Sequence, residues 1–124
     1  MRAATLKRAL SFLICALLLI TTSVSAAGPL PKLVDVGADK CIPCIKMAPI
    51  LEALKEDYAG RMEVKFVDAW KNRDEAASYG VQMIPTQIFY SADGKELHRH
   101  TGFLGREDIL KQWQQLGFDF QGKK

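Results

Sequence analysis

The sequence predicts an α/β fold in which a four-stranded mixed sheet is flanked by about three helices, in the order β-α-β-α-β-β-α. A short apolar run, 33–36, leads into a longer run with helical periodicity, 45–58. Further along, a turn signal, Ser91-Ala92-Asp93-Gly94, joins two β-rich segments, and a second helical pattern follows them. Strands that alternate with helices at this spacing indicate one small domain with a sheet at its centre.

The first strand and the first helix are predicted from apolar residues at two different spacings. The segment from Lys32 to Val36 is apolar enough to be buried on both faces of a sheet, and Asp35 interrupts it. In the helix that follows, Pro49 predicts a kink and Gly60 marks the end. Its apolar face is formed by Met47, Ile50, Leu51, Leu54 and Tyr58.

A second strand and a short helix are predicted next along the chain. Residues 62–67 are β-rich and form the strand. Asn72 is expected to cap the helix, with Glu75 three residues later as the second member of a capping box. Gly80 is expected to end this helix.

The last three elements are predicted to be a hairpin and a helix. Thr86 to Tyr90 and Lys95 to Thr101 are the two strands of the hairpin. The helix covers 106–116, and Phe118 and Phe120 are expected to pack at its end. Its apolar face is formed by Ile109, Leu110, Trp113 and Leu116.

The N-terminus has the three parts of a secretory signal. A basic start is followed by an eleven-residue apolar run, 10–20, and then by small residues that predict cleavage after Ala26 or Ala27. An uncleaved anchor is the alternative, although the run is shorter than the roughly 20 residues of a spanning helix. We therefore expect an exported protein, in a bacterial periplasm or secreted, with a possible tether at 10–20. The remaining divisions are a lead-in at 27–32, a domain at 33–118 and a tail at 119–124.

Net charge excludes one class of partner. The chain carries 17 basic and 14 acidic residues, and three of the basic ones lie in the predicted signal. Removal of residues 1–26 leaves 98 of the 124 residues, with equal numbers of both signs. A near-neutral domain without a basic patch is not expected to bind nucleic acid.

The predicted chemistry is concentrated in Lys40-Cys41-Ile42-Pro43-Cys44. This motif holds two cysteines three positions apart, between a strand and the start of a helix, where amide groups favour the reactive thiolate. A bridge across so short a loop stabilises a fold little, so a structural staple explains the pair poorly. The other alternative is a zinc site, for which His98 and His100 would have to supply further ligands.

Further short motifs follow this pair in a fixed order. They are Val34-Asp35, Cys41-Ile42-Pro43-Cys44, Met47-Ala48-Pro49-Ile50-Leu51, Tyr79-Gly80-Val81, Ile84-Pro85-Thr86, and the glycines Gly94 and Gly102. In this arrangement, from about 33 to 116, the chain resembles the thioredoxin family. The resemblance implies a minimal thioredoxin-like fold, because the lead-in is too short for the additional strand and helix that family members usually have.

The resemblance also implies roles for single residues. Cys41 would be the exposed nucleophile and Cys44 the buried resolving thiol, with a Cys41–Cys44 disulfide in the oxidised protein. Asp35 would be the buried acid that helps to deprotonate Cys44, through water. Pro85 would be a cis-proline whose loop pairs with an extended substrate. From the residues alone, a trans turn proline and an ordinary strand-end carboxylate are also compatible with the pattern.

Substrate contacts are expected from Ile84 and Pro85 in that loop, and from Lys40, Ile42 and Pro43 in the motif. Two of these depart from the family: Lys40 replaces a tryptophan and Ile42 replaces a glycine. Lys40 is predicted to lower the pKa of Cys41. The family's lysine partner for the buried acid has no clear counterpart.

The predicted function is that of an exported thiol–disulfide oxidoreductase that reduces or exchanges protein disulfides. It needs no metal ion and no other cofactor, is expected to be a monomer, and would receive electrons from a membrane thiol-transfer protein. Two alternatives are a non-catalytic protein-binding module and a metal-binding domain.

Overall fold

The computed structural model describes residues 28–120 and contains, within this range, four strands and three helices in the predicted order. The predicted signal segment and the end of the predicted tail, 121–124, lie outside the described residues. The elements are β1 (Lys32–Gly37), α1 (Ile42–Asp57), β2 (Glu63–Asp68), α2 (Arg73–Ser78), β3 (Thr86–Tyr90), β4 (Glu96–Thr101) and α3 (Arg106–Gln115).

The strands form one mixed sheet in the order β2-β1-β3-β4. β1 pairs in parallel with β2 and antiparallel with β3, and β3 pairs antiparallel with β4. The α/β class and the four-stranded mixed sheet are therefore confirmed. β1 is paired with another strand on each side, which explains why its sequence is an almost continuous apolar run.

Alternate residues of β1 face two separate apolar clusters. Leu33 lies in the larger cluster, together with residues of α1 and α3, and Val34 and Val36 lie in a smaller cluster with Ala76 of α2. Because successive side chains of a strand point to opposite faces, Asp35 faces the same side as Leu33. The acid therefore lies under the helix that carries the cysteine pair.

The end of the chain completes the larger cluster, as predicted for its aromatic residues. Trp113 is fully buried and lies edge-on to Phe89, Phe118 and Phe120, with ring centroids 5.0–5.5 Å apart. Phe120, which follows the predicted domain limit at 118, is buried and also contacts Tyr58. Edge-to-face geometry is the preferred arrangement of aromatic pairs, so this cluster joins α1, β3 and α3.

The structure confirms one local prediction and corrects another. The first helix begins at Ile42, so the motif itself forms its first turn, and Ile45 donates its backbone N–H to the Cys41 carbonyl at 2.9 Å. Asn72 stands at the cap position of α2 but makes no side-chain capping bond. The predicted capping box is wrong, since Glu75 instead pairs with Lys65 at 2.6 Å.

Among residues 28–120, no helix is both long enough and apolar enough to cross a membrane.

Candidate active site

Three chain segments meet at one edge of the sheet. β1 and β2 are parallel, so Gly37 at the end of β1 pairs with Asp68 at the end of β2. β3 runs the opposite way and begins at this edge, where Thr86 pairs with Val36. The residue before Thr86 is Pro85, and the Ile84–Pro85 peptide bond is cis. The motif that follows β1 therefore lies close to the cis-proline loop.

Cys41 and Cys44 form a disulfide whose Cα atoms are 5.1 Å apart. Their exposures differ: Cys41 is partly accessible, whereas only 3% of Cys44 is exposed. Cys44 is packed against β1, because a Cβ atom added to Gly37 would lie 3.2 Å from its Sγ atom. A substrate can therefore reach the first sulfur but not the second.

The start of α1 supplies the electrostatic environment of Cys41. Cys41 occupies the N-cap position of this sixteen-residue helix, with extended backbone angles, and Pro43 lies within the first turn. Backbone N–H groups at a helix start lack partners within the helix and favour a negative charge nearby. In the reduced protein, this position stabilises the thiolate, which is the nucleophilic form of cysteine. Lys40 is exposed beside it.

Asp35 is fully buried in the middle of β1. Burial raises the pKa of its carboxyl to about 6, against an opposing effect of a hydrogen bond from Gln87. In that bond, Gln87 Nε2 donates to Asp35 Oδ1 at 2.7 Å. Asp35 and Gly37 share a face of β1, two residues apart, so the carboxyl lies one step along the strand from the glycine that Cys44 covers.

Asp68 organises the loop that leads to the motif. Its carboxylate accepts hydrogen bonds from the backbone N–H groups of Asp39, Trp70 and Lys71. Lys71 also forms an ion pair with Asp39, at 2.7 Å. The segment after β2 is thereby held against residue 39, two positions before Cys41.

Large apolar side chains are exposed around this edge. Ile42 is 70% exposed and Met83, in the loop before the cis-proline, is 67% exposed. A cavity of about 330 Å³ opens beside Cys44. It is lined by Ala38, Asp39, Cys44, Ile45, Ala48, Leu51, Glu52 and Phe66. Ile42 and Met83 are therefore accessible to a molecule that approaches this edge of the sheet.

The two histidines considered as metal ligands lie on β4, which is an edge strand. The His98 ring packs against Phe89, with centroids 5.7 Å apart, and His100 pairs with Gln87 in the strand register. Within the described part of the chain, no three His, Cys, Asp or Glu side chains are placed to hold a metal ion together.

Sequence reasoning missed Gln87 and Asp68. Gln87 was predicted only as part of a strand, yet it is fully buried and is the hydrogen-bond partner of Asp35. The available signal was a lone amide among apolar neighbours in a buried strand, since such a group needs a partner. Asp68 lies just beyond the predicted strand at 62–67, and nothing in its local pattern indicates three backbone donors.

Comparison with known proteins gives this geometry a family. The thioredoxin family model matches residues 23–115. The chain belongs to the thioredoxin family. The thioredoxin of Staphylococcus epidermidis is 40% identical over 80 residues, which make up 64% of this chain and 76% of the relative. The thioredoxin of Staphylococcus aureus is 38% identical over the same shares of the two chains.

Solved structures agree with the thioredoxin fold. The X-ray structure of Fasciola hepatica thioredoxin superposes with a TM-score of 0.62 and 31% identity, over 72% of this chain and 83% of that one. A malarial protein superposes with a TM-score of 0.64 over 69% of this chain and 96% of its own. Because the two sequences are only 22% identical, this likeness shows a shared fold and nothing further.

Membership of the thioredoxin family, together with the Cys41–Cys44 pair, makes this protein a thiol–disulfide oxidoreductase. The thioredoxin-like fold implied by the resemblance is confirmed by the solved structures. The non-catalytic and metal-binding alternatives therefore give way to redox chemistry at the motif.

Proposed function

We propose that this oxidoreductase is exported and reduces or exchanges disulfides of other proteins, through a dithiol–disulfide cycle of Cys41 and Cys44. The observation that carries the proposal is the unequal exposure of the two sulfurs at the start of α1. An accessible thiolate can attack a substrate, while a buried thiol is protected from solvent until the mixed disulfide has formed.

The cycle balances in two steps. The Cys41 thiolate attacks one sulfur of a substrate disulfide, which breaks that bond and releases the first substrate thiolate to take up a proton. Cys44 then loses its proton to Asp35, through a bridging water molecule, and its thiolate attacks Cys41 Sγ. The second substrate thiolate leaves, so the substrate gains two electrons and the protein is left with its Cys41–Cys44 disulfide.

The substrate is proposed to be an extended protein segment with apolar side chains. The loop at Ile84 and Pro85 would pair with the backbone of that segment, as an added strand does. Ile42, next to Cys41, and Met83, two residues before Pro85, expose apolar surface. Pro43 lies with Ile42 in the first helical turn. Lys40 adds a positive charge where the family usually has a tryptophan, which favours segments with an acidic residue near the cysteine.

Export is proposed from the N-terminal pattern of a basic start, an apolar run at 10–20 and small residues up to Ala27. Outside the cytosol, disulfides form readily and a reductant must be supplied across the membrane. A membrane thiol-transfer protein is therefore the proposed electron donor. N-terminal sequencing of the exported protein would support cleavage if it begins at residue 27 or 28, and an intact start would support the tether.

Reduction of insulin by the protein, with a dithiol as electron source, tests the function. Wild type is expected to accelerate the reaction, and Cys41→Ser is expected to reduce the rate to the uncatalysed background. Cys44→Ser should accumulate a mixed disulfide on Cys41, visible as a mass increase. A wild-type rate equal to that of Cys41→Ser would leave only a binding role.

The reduction potential of the pair decides the direction of the cycle. A value near about −270 mV is typical of a reductant, and one near about −120 mV is typical of an oxidant. We expect the first, because Pro43 stands in the position where strong oxidants of the family tend to carry histidine. A potential near the value typical of an oxidant would refute the reducing direction, but it would not contradict the proposed thiol–disulfide exchange.

A further inference from the structure

Asp35 lies in a row of side chains that crosses the whole sheet. In the strand register, it pairs with Phe66 of β2 on one side and with Gln87 of β3 on the other, and Gln87 pairs in turn with His100 of β4. Directly paired residues share a face, so all four point toward the α1 side. The acid is thus placed between an aromatic ring and an amide.

The contact to Gln87 is the one hydrogen bond that the Asp35 side chain makes within residues 28–120. Asp35 Oδ1 accepts from Gln87 Nε2 at 2.7 Å, whereas Asp35 Oδ2 and Gln87 Oε1 are buried and have no partner in this part of the chain. Both side chains are fully buried. One carboxyl oxygen is therefore fixed, and the other is available for a proton.

An amide suits a carboxyl that must change its protonation state. A carboxylate accepts from the amide N–H group, and a protonated carboxyl can donate to the amide oxygen after the amide turns over. A lysine would favour only the ionised form, and an aliphatic side chain would favour only the neutral form. The unpartnered Gln87 Oε1 provides the second option.

We propose that Gln87 is a positioning residue of the disulfide cycle, which holds the Asp35 carboxyl with Oδ2 free to exchange a proton with Cys44. This inference rests on the proposed function, because it assigns Gln87 a part in the resolving step. Gln87 touches neither sulfur and acts only through Asp35.

Other groups that face Asp35 could affect a pH profile and need separate controls. β2 contributes Phe66, which is uncharged, and α3 contributes apolar residues to this side of the sheet. The titratable groups on this side include Cys44 on α1 and, beyond β3, His98 and His100 on β4. Asp39 and Glu52 line the cavity beside Cys44 and Phe66. Lys65, the neighbour of Phe66, pairs with Glu75 instead.

The first test measures the resolving step between pH 5 and pH 9, by following release of a substrate thiol from a preformed mixed disulfide on Cys41. Gln87→Leu removes the amide at similar volume. Its rate at pH 7 should fall about three- to tenfold, with the inflection displaced to higher pH, because the carboxylate loses a charge-assisted hydrogen bond. Ile88→Val, on the opposite face of β3, should leave the profile unchanged.

A double-variant comparison separates positioning from folding. In an Asp35→Asn background, Gln87→Leu should cause no further loss of rate, since the group that it positions is absent. An equal loss in both backgrounds would overturn the proposal. The proposal would also be overturned if His100→Asn abolished the inflection of the pH–rate profile, because the titration would then belong to the histidine. Should the leucine variant not fold, Gln87→Met has the same length and carries the same expectation.

A second readout does not depend on turnover. The side-chain carboxyl carbon of Asp35 can be titrated by carbon-13 NMR in the oxidised protein, and Gln87→Leu should displace its midpoint to higher pH. An unchanged midpoint would overturn the inference. If wild type reduced no disulfide at all, the proposed function would fail, whereas an active wild type with an unshifted Gln87→Leu profile would refute only the role of Gln87.

Discussion

Replacement of Asp35 by asparagine should stabilise the oxidised protein at neutral pH. The carboxyl is fully buried and its pKa is raised from 3.8 to about 6, mainly by desolvation. At any pH between these two pKa values, the folded protein binds more protons than the unfolded chain. The stability that Asp35 contributes as a neutral acid is therefore complete below about pH 4, and it is lost as the pH rises through about 6.

The size of the effect follows from the difference between the two pKa values. A difference of roughly two units, at 1.36 kcal/mol per unit, corresponds to about 3 kcal/mol of stability lost by pH 7.5. Asparagine has nearly the same shape, keeps an oxygen that can accept from Gln87 Nε2, and does not ionise. We expect the free energy of unfolding of Asp35→Asn to be higher than that of wild type by up to about 3 kcal/mol at pH 7.5, and by much less at pH 4.

Urea denaturation of the oxidised protein at pH 4, 5, 6 and 7.5 measures this difference directly. Asp39→Asn is the matched control, because Asp39 is an exposed carboxylate whose pKa is lowered, chiefly by its hydrogen bond to Lys71. Its replacement should give no stabilisation at pH 7.5. A gain for Asp35→Asn that is the same at pH 4 and pH 7.5 would refute the argument, since the cause could then not be ionisation.

Three further substitutions test other parts of the structure. Gly37→Ala should destabilise the protein by about 1–3 kcal/mol in urea, because the new methyl group would lie 3.2 Å from Cys44 Sγ. Trp113→Ala should cost about 3–5 kcal/mol by the same measurement, because a fully buried aromatic is lost. Lys40→Ala should slow alkylation of reduced Cys41 roughly twofold at pH 7, as expected for loss of one solvent-exposed positive charge from the residue next to the thiolate.

Each of these three has a control in the same protein. Gly28→Ala adds a methyl group that meets no atom within 4 Å, and should change stability little. Trp70→Ala removes a half-exposed ring and should cost far less than the buried one. Lys55→Ala removes a charge from the far end of α1 and should not alter alkylation. Equal effects in any variant and its control would contradict the corresponding prediction.

Local patterns were sufficient to predict the elements of this fold. Periodicity depends on neighbouring residues, so the order of strands and helices and the hairpin at 86–101 could be predicted before any contact was known. The start of α1 could be predicted as well, because Pro43 is tolerated in a first helical turn although the apolar periodicity begins only at Ile45.

Side-chain partners could not be predicted in the same way. The capping box at Asn72 failed because Glu75 has a competing partner, Lys65, on a different element. The amide beside Asp35 was missed because residues 35 and 87 become neighbours only through the register of β1 on β3. A sequence pattern indicates that a buried acid needs a partner, but strand order decides which residue supplies it.

The same register bears on the proposed role of Asp35, whose carboxyl has no cationic partner among residues 28–120. Full burial alone favours the protonated acid, which could not accept a proton from Cys44. A lysine in the position of Phe66 or Gln87 would favour the carboxylate instead, and the acid would then bind a proton only weakly. One amide on an otherwise apolar site opposes desolvation in part, and the resulting pKa of about 6 lies between these extremes. The proposed proton exchange at neutral pH would therefore depend on the strand pairing that places residue 87 beside residue 35.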